Sequence, residues 1–123
     1  MNKKILIIED ETALLYALQS QLSVEGFKTM TAADGEVALS LILKEKPDLI
    51  VMDIILPKID GWTLLKKIKS NKITKNIPVI IISNLSDEPS RTKGLDLGAK
   101  DYLAKIDYSI AELVKKIKES STL

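Results

Sequence analysis

The chain reads as a doubly wound α/β domain, a parallel five-stranded sheet with helices on both faces. Short apolar runs alternate with segments of helical period along its length, the mark of repeated βα units. Two of those runs, Ile5 to Ile8 and Leu49 to Met52, close on carboxylates: Glu9-Asp10 and Asp53. No linker, repeat or low-complexity tract interrupts the 123 residues, so a single domain over 1–123, with its core at about 3–119, is expected.

The first strand is expected over Lys4 to Glu9. The next segment puts Leu14, Leu15, Leu18 and Leu22 on one helical face, and Gly26 stops it. Phe27 to Ala32 forms a weaker strand. After Asp34-Gly35 a helix presents Val37, Ala38, Leu41 and Ile42, ended by Pro47. The third strand is Asp48 to Asp53, followed by the turn-rich loop Leu56-Pro57-Lys58-Ile59-Asp60-Gly61.

Leu64, Leu65 and Ile68 mark the third helix, beside Lys66, Lys67 and Lys69, which read as a solvated face. The fourth strand, Val79 to Ser83, is the most uniformly apolar and therefore central. A polar loop leads to a helix near Pro89 to Leu97, closed by Gly98. Pro89 and Gly94 give that helix low propensity, so it reads as mobile, although Gly94 also suits close packing. Strand five is Asp101 to Ala104. Ser109 and Glu112 have the spacing of a capping box ahead of Ile110, Leu113, Val114 and Ile117.

Hydrophobic residues make up 46% and charged residues 28%, and the net charge is +1. That total offers no field for nucleic acid or an anionic membrane. There is no cysteine, which excludes disulfides and thiolate metal sites. There is no histidine either, which removes the usual general base and any internal phosphohistidine. The first apolar run is too short for a signal peptide, and none approaches the ~18 residues of a membrane span. A cytoplasmic location is the expectation.

Parallel strands share one direction, so Glu9-Asp10, Asp53, Ser83 and Lys105 fall on one edge of the sheet. Taken singly, each has an ordinary reading: turn former, helix cap, strand-end hydroxyl, solvated lysine. Asp10 in particular suits the N-cap of the first helix. Gathered together, the carboxylates repel. At about 4 Å and an effective dielectric near 20, each pair costs roughly 4 kcal/mol. Either one group keeps a proton, or a divalent cation sits among them. Carboxylates, a hydroxyl and an ammonium together make a place for a metal ion and a phosphoryl group.

The stretches that carry most information are Ile7-Ile8-Glu9-Asp10-Glu11, Asp48-Leu49-Ile50-Val51-Met52-Asp53, Leu56-Pro57 with Asp60-Gly61, Pro78-Val79-Ile80-Ile81-Ile82-Ser83, and Gly98-Ala99-Lys100-Asp101-Tyr102-Leu103-Ala104-Lys105. In this order and at these spacings they resemble the receiver domain of bacterial response regulators. The resemblance implies a flavodoxin-like sheet of order 2-1-3-4-5 in a two-component signalling protein. Asp53 would accept a phosphoryl group from the phosphohistidine of a sensor kinase or phosphotransfer protein. Mg²⁺ would be held by Asp10 and Asp53 directly, by Glu9 through water and by the Ile55 backbone carbonyl. Lys105 and Ser83 would contact phosphoryl oxygens. Ser83 and Tyr102 would form the switch that repacks the face of helix 4, strand 5 and helix 5 for an output partner or a phosphorylation-dependent homodimer. The implied role is a phosphoacceptor assisting its own phosphorylation and dephosphorylation rather than an enzyme.

Two positions depart from the family pattern. Ile106 follows Lys105 where proline is usual; a cis bond before a non-proline costs ~3 kcal/mol, so a trans bond is expected. Asn84 follows Ser83 where a smaller residue is usual, and is expected to narrow access to the acceptor. Ile55 and Leu85 flank the path of an attacking water and are both apolar, so slow loss of the phosphoryl group is expected.

Rival functions fare worse. A phosphatase of the haloacid dehalogenase type needs an acid two residues after its nucleophile, where Ile55 stands. A flavin or nucleotide binder wants a phosphate loop after the first strand, where Glu9-Asp10-Glu11 repels phosphate. A degenerate receiver that docks partners without phosphorylation is the alternative that Ile106 and Asn84 keep open. The sequence suits either a single-domain regulator or a receiver belonging to a longer protein, the initial methionine favouring an intact start.

Overall fold

Five strands form one parallel sheet in the order β2-β1-β3-β4-β5. They are β1 (Lys4–Ile8), β2 (Lys28–Ala32), β3 (Leu49–Met52), β4 (Val79–Ser83) and β5 (Asp101–Ala104). Between and after them run α1 (Thr12–Val24), α2 (Gly35–Glu45), α3 (Gly61–Ser70), α4 (Glu88–Asp96) and α5 (Ile110–Ser121). The computed structural model describes residues 3–121, so the outermost residues of the expected span 1–123 lie outside the described residues. This order is the flavodoxin-like one, with its topological switch point between β1 and β3.

Alternate strand residues feed two cores. Leu6, Ile8, Ile50, Met52 and Ile81 pack under α2 and α3. Ile5, Ile7, Val51, Ile80 and Ile82 pack under α1 and α5. Burial on both faces is why these strands are continuous apolar runs rather than alternating ones. Leu14, Leu15, Leu18 and Leu22 are the buried stripe of α1, as the heptad-like spacing predicts.

Helix starts follow side-chain caps. Asp34, Asp60 and Asp87 accept from the amides of Val37, Thr63 and Ser90 at 2.9, 3.0 and 3.0 Å. The predicted capping box closes both ways. Ser109 N donates to Glu112 Oε1 at 2.8 Å and Glu112 N donates to Ser109 Oγ at 3.1 Å. Gly26 and Gly98 follow α1 and α4 at φ +97° and +108°, the left-handed backbone that ends a helix.

Three details differ from the sequence reading. Val37 lies outward in the first turn of α2 and is exposed; Ala38 and Ile42 carry that helix's contact with the sheet. Asp10 is not the cap of α1: the helix starts at Thr12, and Glu11 is the N-cap, without a side-chain bond. Lys69 is not part of a solvated face. Its ammonium donates to the carbonyls of Lys75 and Ile77 at 3.0 and 2.7 Å, and partial burial lowers its pKa. A single 3₁₀ turn, Lys105–Asp107, follows β5, and the Lys105–Ile106 bond is trans, as a non-proline position predicts.

Candidate functional site at the carboxyl edge of the sheet

The registers Ile8↔Met52 and Ser83↔Ala104 bring the ends of β1, β3, β4 and β5 to one edge. Glu9 and Asp53, the residues just past β1 and β3, are buried, and Asp10 beside them is exposed. One carboxylate oxygen from each of Glu9, Asp10 and Asp53 lies within 4.8 Å of the other two. The three acids expected to cluster do so.

Two backbone amides fix the Asp53 carboxylate. Its Oδ1 accepts from Ile54 N at 2.6 Å and, more weakly, from Ile55 N at 3.3 Å. Its Oδ2 accepts from Lys105 Nζ at 2.8 Å. The same ammonium lies 2.8 Å from Glu9 Oε1 and 3.7 Å from Glu11 Oε1. Sequence reasoning offered a proton or a metal ion as the neutralising charge. Here the Lys105 ammonium itself stands between Glu9 and Asp53. Strand direction placed Lys105 on this edge, 52 residues beyond Asp53, but did not assign it to the acids as their counter-charge.

Glu9 is poorly satisfied even so. Its Oε2 accepts from Glu11 N at 3.1 Å. Its buried Oε1 has the Lys105 ammonium 2.8 Å away as an ion-pair partner and meets no other donor. Burial pushes the Glu9 carboxyl up to about 7, opposed by the Lys105 and Glu11 contacts and reinforced by the charge of Asp53. For Lys105, burial works to lower the pKa; the bonds to Asp53 and Glu9 outweigh it and hold the ammonium above its usual value.

Three converging carboxylates, one of them with a buried oxygen met only by an ammonium, fit a hard divalent cation. An all-oxygen donor set suits Mg²⁺ or Mn²⁺ and gives a soft metal no nitrogen or sulfur.

The loop after Asp53 is held by close approach. Gly61 N donates to Ile54 O at 2.7 Å, and a Cβ on Gly61 would fall 2.5 Å from Ile54 Cα and 2.6 Å from Asp53 O. Only glycine fits there. This packing presents Ile55 outward, at 57% exposure.

Ser83 is fully buried, and its Oγ accepts from Leu85 N at 3.1 Å. Tyr102, the second residue of β5, is 1% exposed. Its hydroxyl donates to Leu85 O at 2.7 Å. Burial raises the phenol's pKa, the Ser83 hydroxyl opposes it, and the charges of Asp87 and Asp53 add to burial. The ring therefore lies inward. Gly94 makes the room, since a Cβ there would meet Tyr102 Cδ2 at 2.8 Å and Ile81 Cδ1 at 2.9 Å. Close packing thus accounts for the α4 glycine. Two further ties hold α4. Arg91 Nη1 donates to Tyr102 O at 2.7 Å, and Lys93 Nζ stands 4.5 Å from the Trp62 ring centroid, a cation–π contact that no spacing rule reveals.

Asn84 is exposed. With Glu11, Lys105, Ile106 and Tyr108 it lines a groove of about 520 Å³ beside the acids. No helix among the described residues is long and apolar enough to cross a membrane.

Comparison with known proteins agrees with this geometry. Residues 5–118 match the family described as the response regulator receiver domain. The alkaline phosphatase synthesis transcriptional regulatory protein PhoP of Bacillus subtilis (strain 168) is 40% identical over 118 residues, 96% of this chain and 48% of that protein. The chain thus spans about half the length of the curated relatives it matches. The receiver domain of Francisella response regulator 1452 superposes with a TM-score of 0.89 at 35% identity, covering 98% of each chain. The receiver domain of the sensor histidine kinase PA1611 from Pseudomonas aeruginosa PAO1, solved with magnesium in its active-site cleft, gives 0.87 at 26% identity over the whole of both chains. This chain belongs to the response regulator receiver domain family of two-component signalling.

Proposed function

We propose that the chain is a phosphoacceptor whose Asp53 takes a phosphoryl group from a sensor kinase phosphohistidine or a phosphotransfer protein. Receiver domains are signalling domains rather than classical enzymes; they are phosphorylated by histidine kinases and regulate output domains. The observation that carries the reading is the state of Asp53: buried, one oxygen fixed by the Ile54 amide and the other on the Lys105 ammonium, inside a cluster of three acids.

In the transfer, an Asp53 carboxylate oxygen attacks phosphorus, an O–P bond forms and the donor's N–P bond breaks. The electron pair stays on the imidazole, which takes up a proton from water. No general base is needed, since the nucleophile is already a carboxylate; positioning and charge neutralisation carry the step. Glu9, Asp10, Asp53 and the Ile55 carbonyl would hold Mg²⁺, as the neighbour from Pseudomonas holds magnesium in its cleft. Bound there, the ion supplies positive charge against the cluster and the incoming phosphoryl oxygens. Lys105 then exchanges a carboxylate partner for a phosphoryl oxygen. Ser83 keeps a hydroxyl proton to donate, because its bond to Leu85 N uses it only as an acceptor.

Phosphorylation favours the inward arrangement of Tyr102 through the shared Ser83–Leu85 segment, which fixes the face of α4, β5 and α5 for an output partner, an appended effector or a second copy. Incubation with Mg²⁺ and a small acyl phosphate, read by intact mass, tests the reading. One phosphate adduct in the wild type, lost in Asp53→Asn or with a chelator, supports it. No adduct on a folded wild type supports the degenerate, docking-only alternative instead.

A further inference from the structure

A groove between α2 and α3 lies at the edge of the sheet opposite the carboxylates, where both helices end, and the phosphoryl chemistry makes no use of it. Its volume is about 730 Å³, and Leu39, Leu43, Lys67, Asn71, Lys72 and Ile73 are among its walls. Leu43 is 43% exposed and Ile73 is 64% exposed.

Slack in the chain does not explain the exposure of Ile73. Its amide donates to Asn71 Oδ1 at 2.8 Å, and Lys75 N donates to Asn71 O at 2.8 Å. Thr74 Oγ1, almost fully buried, donates to Ile68 O at 2.8 Å. Lys69 clamps the far side of the loop through the carbonyls of Lys75 and Ile77. The isoleucine is displayed on a fixed frame, so little ordering remains to be done when something docks on it.

Charge is segregated around this groove. Residues 61–86 contain Lys66, Lys67, Lys69, Lys72 and Lys75 and no aspartate or glutamate, in a chain whose net charge is only +1. Among the described residues, Lys66, Lys67, Lys72 and Lys75 make no ion pair. The acids of α2 are engaged elsewhere: Glu36 lies 3.8 Å from Lys58 and Glu45 lies 3.9 Å from Lys4.

We infer that this groove docks an acidic amphipathic helix of a partner protein, its apolar side chains on Leu39, Leu43 and Ile73 and its carboxylates on Lys67 and Lys72. The groove is walled by α2, α3 and the loop after α3, and a groove between helices is a common receiver of an amphipathic helix. Its floor is aliphatic, without the aromatic platforms on which nucleic-acid bases stack. A bilayer is met by a protruding apolar face, whereas this surface is hollow.

The test uses the unphosphorylated full chain, so it is independent of the reaction at Asp53. A displayed library of random peptides about fifteen residues long is selected on the wild type and counter-selected on Ile73→Asp combined with Lys72→Glu. Both positions are exposed, and unchanged thermal melting confirms that the variant is folded. The expected winners carry apolar residues at i, i+3 or i+4 and i+7 flanked by Asp or Glu. They bind the wild type at least about tenfold more tightly than the variant. In amide NMR spectra they shift residues 39–46 and 66–75. No enrichment over the counter-selection, winners without acids, or shifts confined to other faces overturns the inference. So does a face that binds phosphatidylserine vesicles, duplex DNA or a second copy of the chain while rejecting the peptides.

Discussion

Lys105 Nζ stands 2.8 Å from Asp53 Oδ2 and 2.8 Å from Glu9 Oε1, so one ammonium joins the two buried acids at the sheet edge. Removing it leaves both carboxyls buried without their cation. Lys105→Met is therefore expected to lower stability by about 3 kcal/mol near pH 8. Near pH 5 the loss is smaller, because Glu9 can then take up a proton. Urea unfolding at the two pH values measures this, and an equal loss at both would place the lysine's contribution outside the acid cluster.

Glu9 makes the metal-free protein sensitive to pH. Its folded-state pKa is about 7, against an ordinary 4.5. A raised carboxyl pKa means the native state binds the proton more tightly than the unfolded chain does. The resulting stability is complete below about pH 4.5 and is lost as pH rises through about 7, by up to about 3 kcal/mol. The urea midpoint of the metal-free wild type should thus fall between about pH 5 and pH 8. Glu9→Gln should flatten that fall, and saturating Mg²⁺ should abolish it by favouring the ionised carboxylate. Coincident profiles for wild type and Glu9→Gln would contradict the assignment.

Most of the fold was legible because burial on both sheet faces writes strands as apolar runs, and Gly26, Pro47 and Gly98 mark the ends of α1, α2 and α4. The α1 stripe and the Ser109–Glu112 box followed directly from spacing. What escaped is long-range or side-chain specific. Val37 fits the apolar pattern of α2 but faces water, since the narrow contact of that helix is met by Ala38 and Ile42. Lys69 carries a charge, which read as solvated, yet its stem covers the fold and its ammonium closes a loop. At the site, the convergence of Glu9, Asp10 and Asp53 came from strand direction alone. The clasp by Lys105 and the buried Tyr102 depend on contacts across β5 that no local pattern encodes.

The packing of Gly94 on Tyr102 offers a separate check. Gly94→Ala places a Cβ 2.8 Å from the ring and 2.9 Å from Ile81 Cδ1, and overpacking of this kind costs about 1–3 kcal/mol. The cost should shrink when the ring is removed, so the double variant with Tyr102→Ala should show a favourable coupling in a thermodynamic cycle. Strict additivity would mean that the glycine serves the helix rather than the ring.

Ile55 and Leu85 bear on the lifetime of the phosphorylated state. Both are apolar, Ile55 is exposed next to the acceptor, and neither side chain can orient an attacking water. Phosphate release from the purified phosphoprotein should be slow, and Ile55→Asn with Leu85→Glu should speed it several-fold. A double variant as slow as the wild type would remove these side chains from the control of hydrolysis.

The most direct measurement locates the acceptor atom. After phosphorylation with a small acyl phosphate and Mg²⁺, borohydride reduction converts an aspartyl phosphate to homoserine, which peptide mapping places in the chain. Reduction is expected at position 53 alone, and none when the metal is chelated. Reduction at another carboxylate, or at 53 to the same extent without metal, would contradict this expectation.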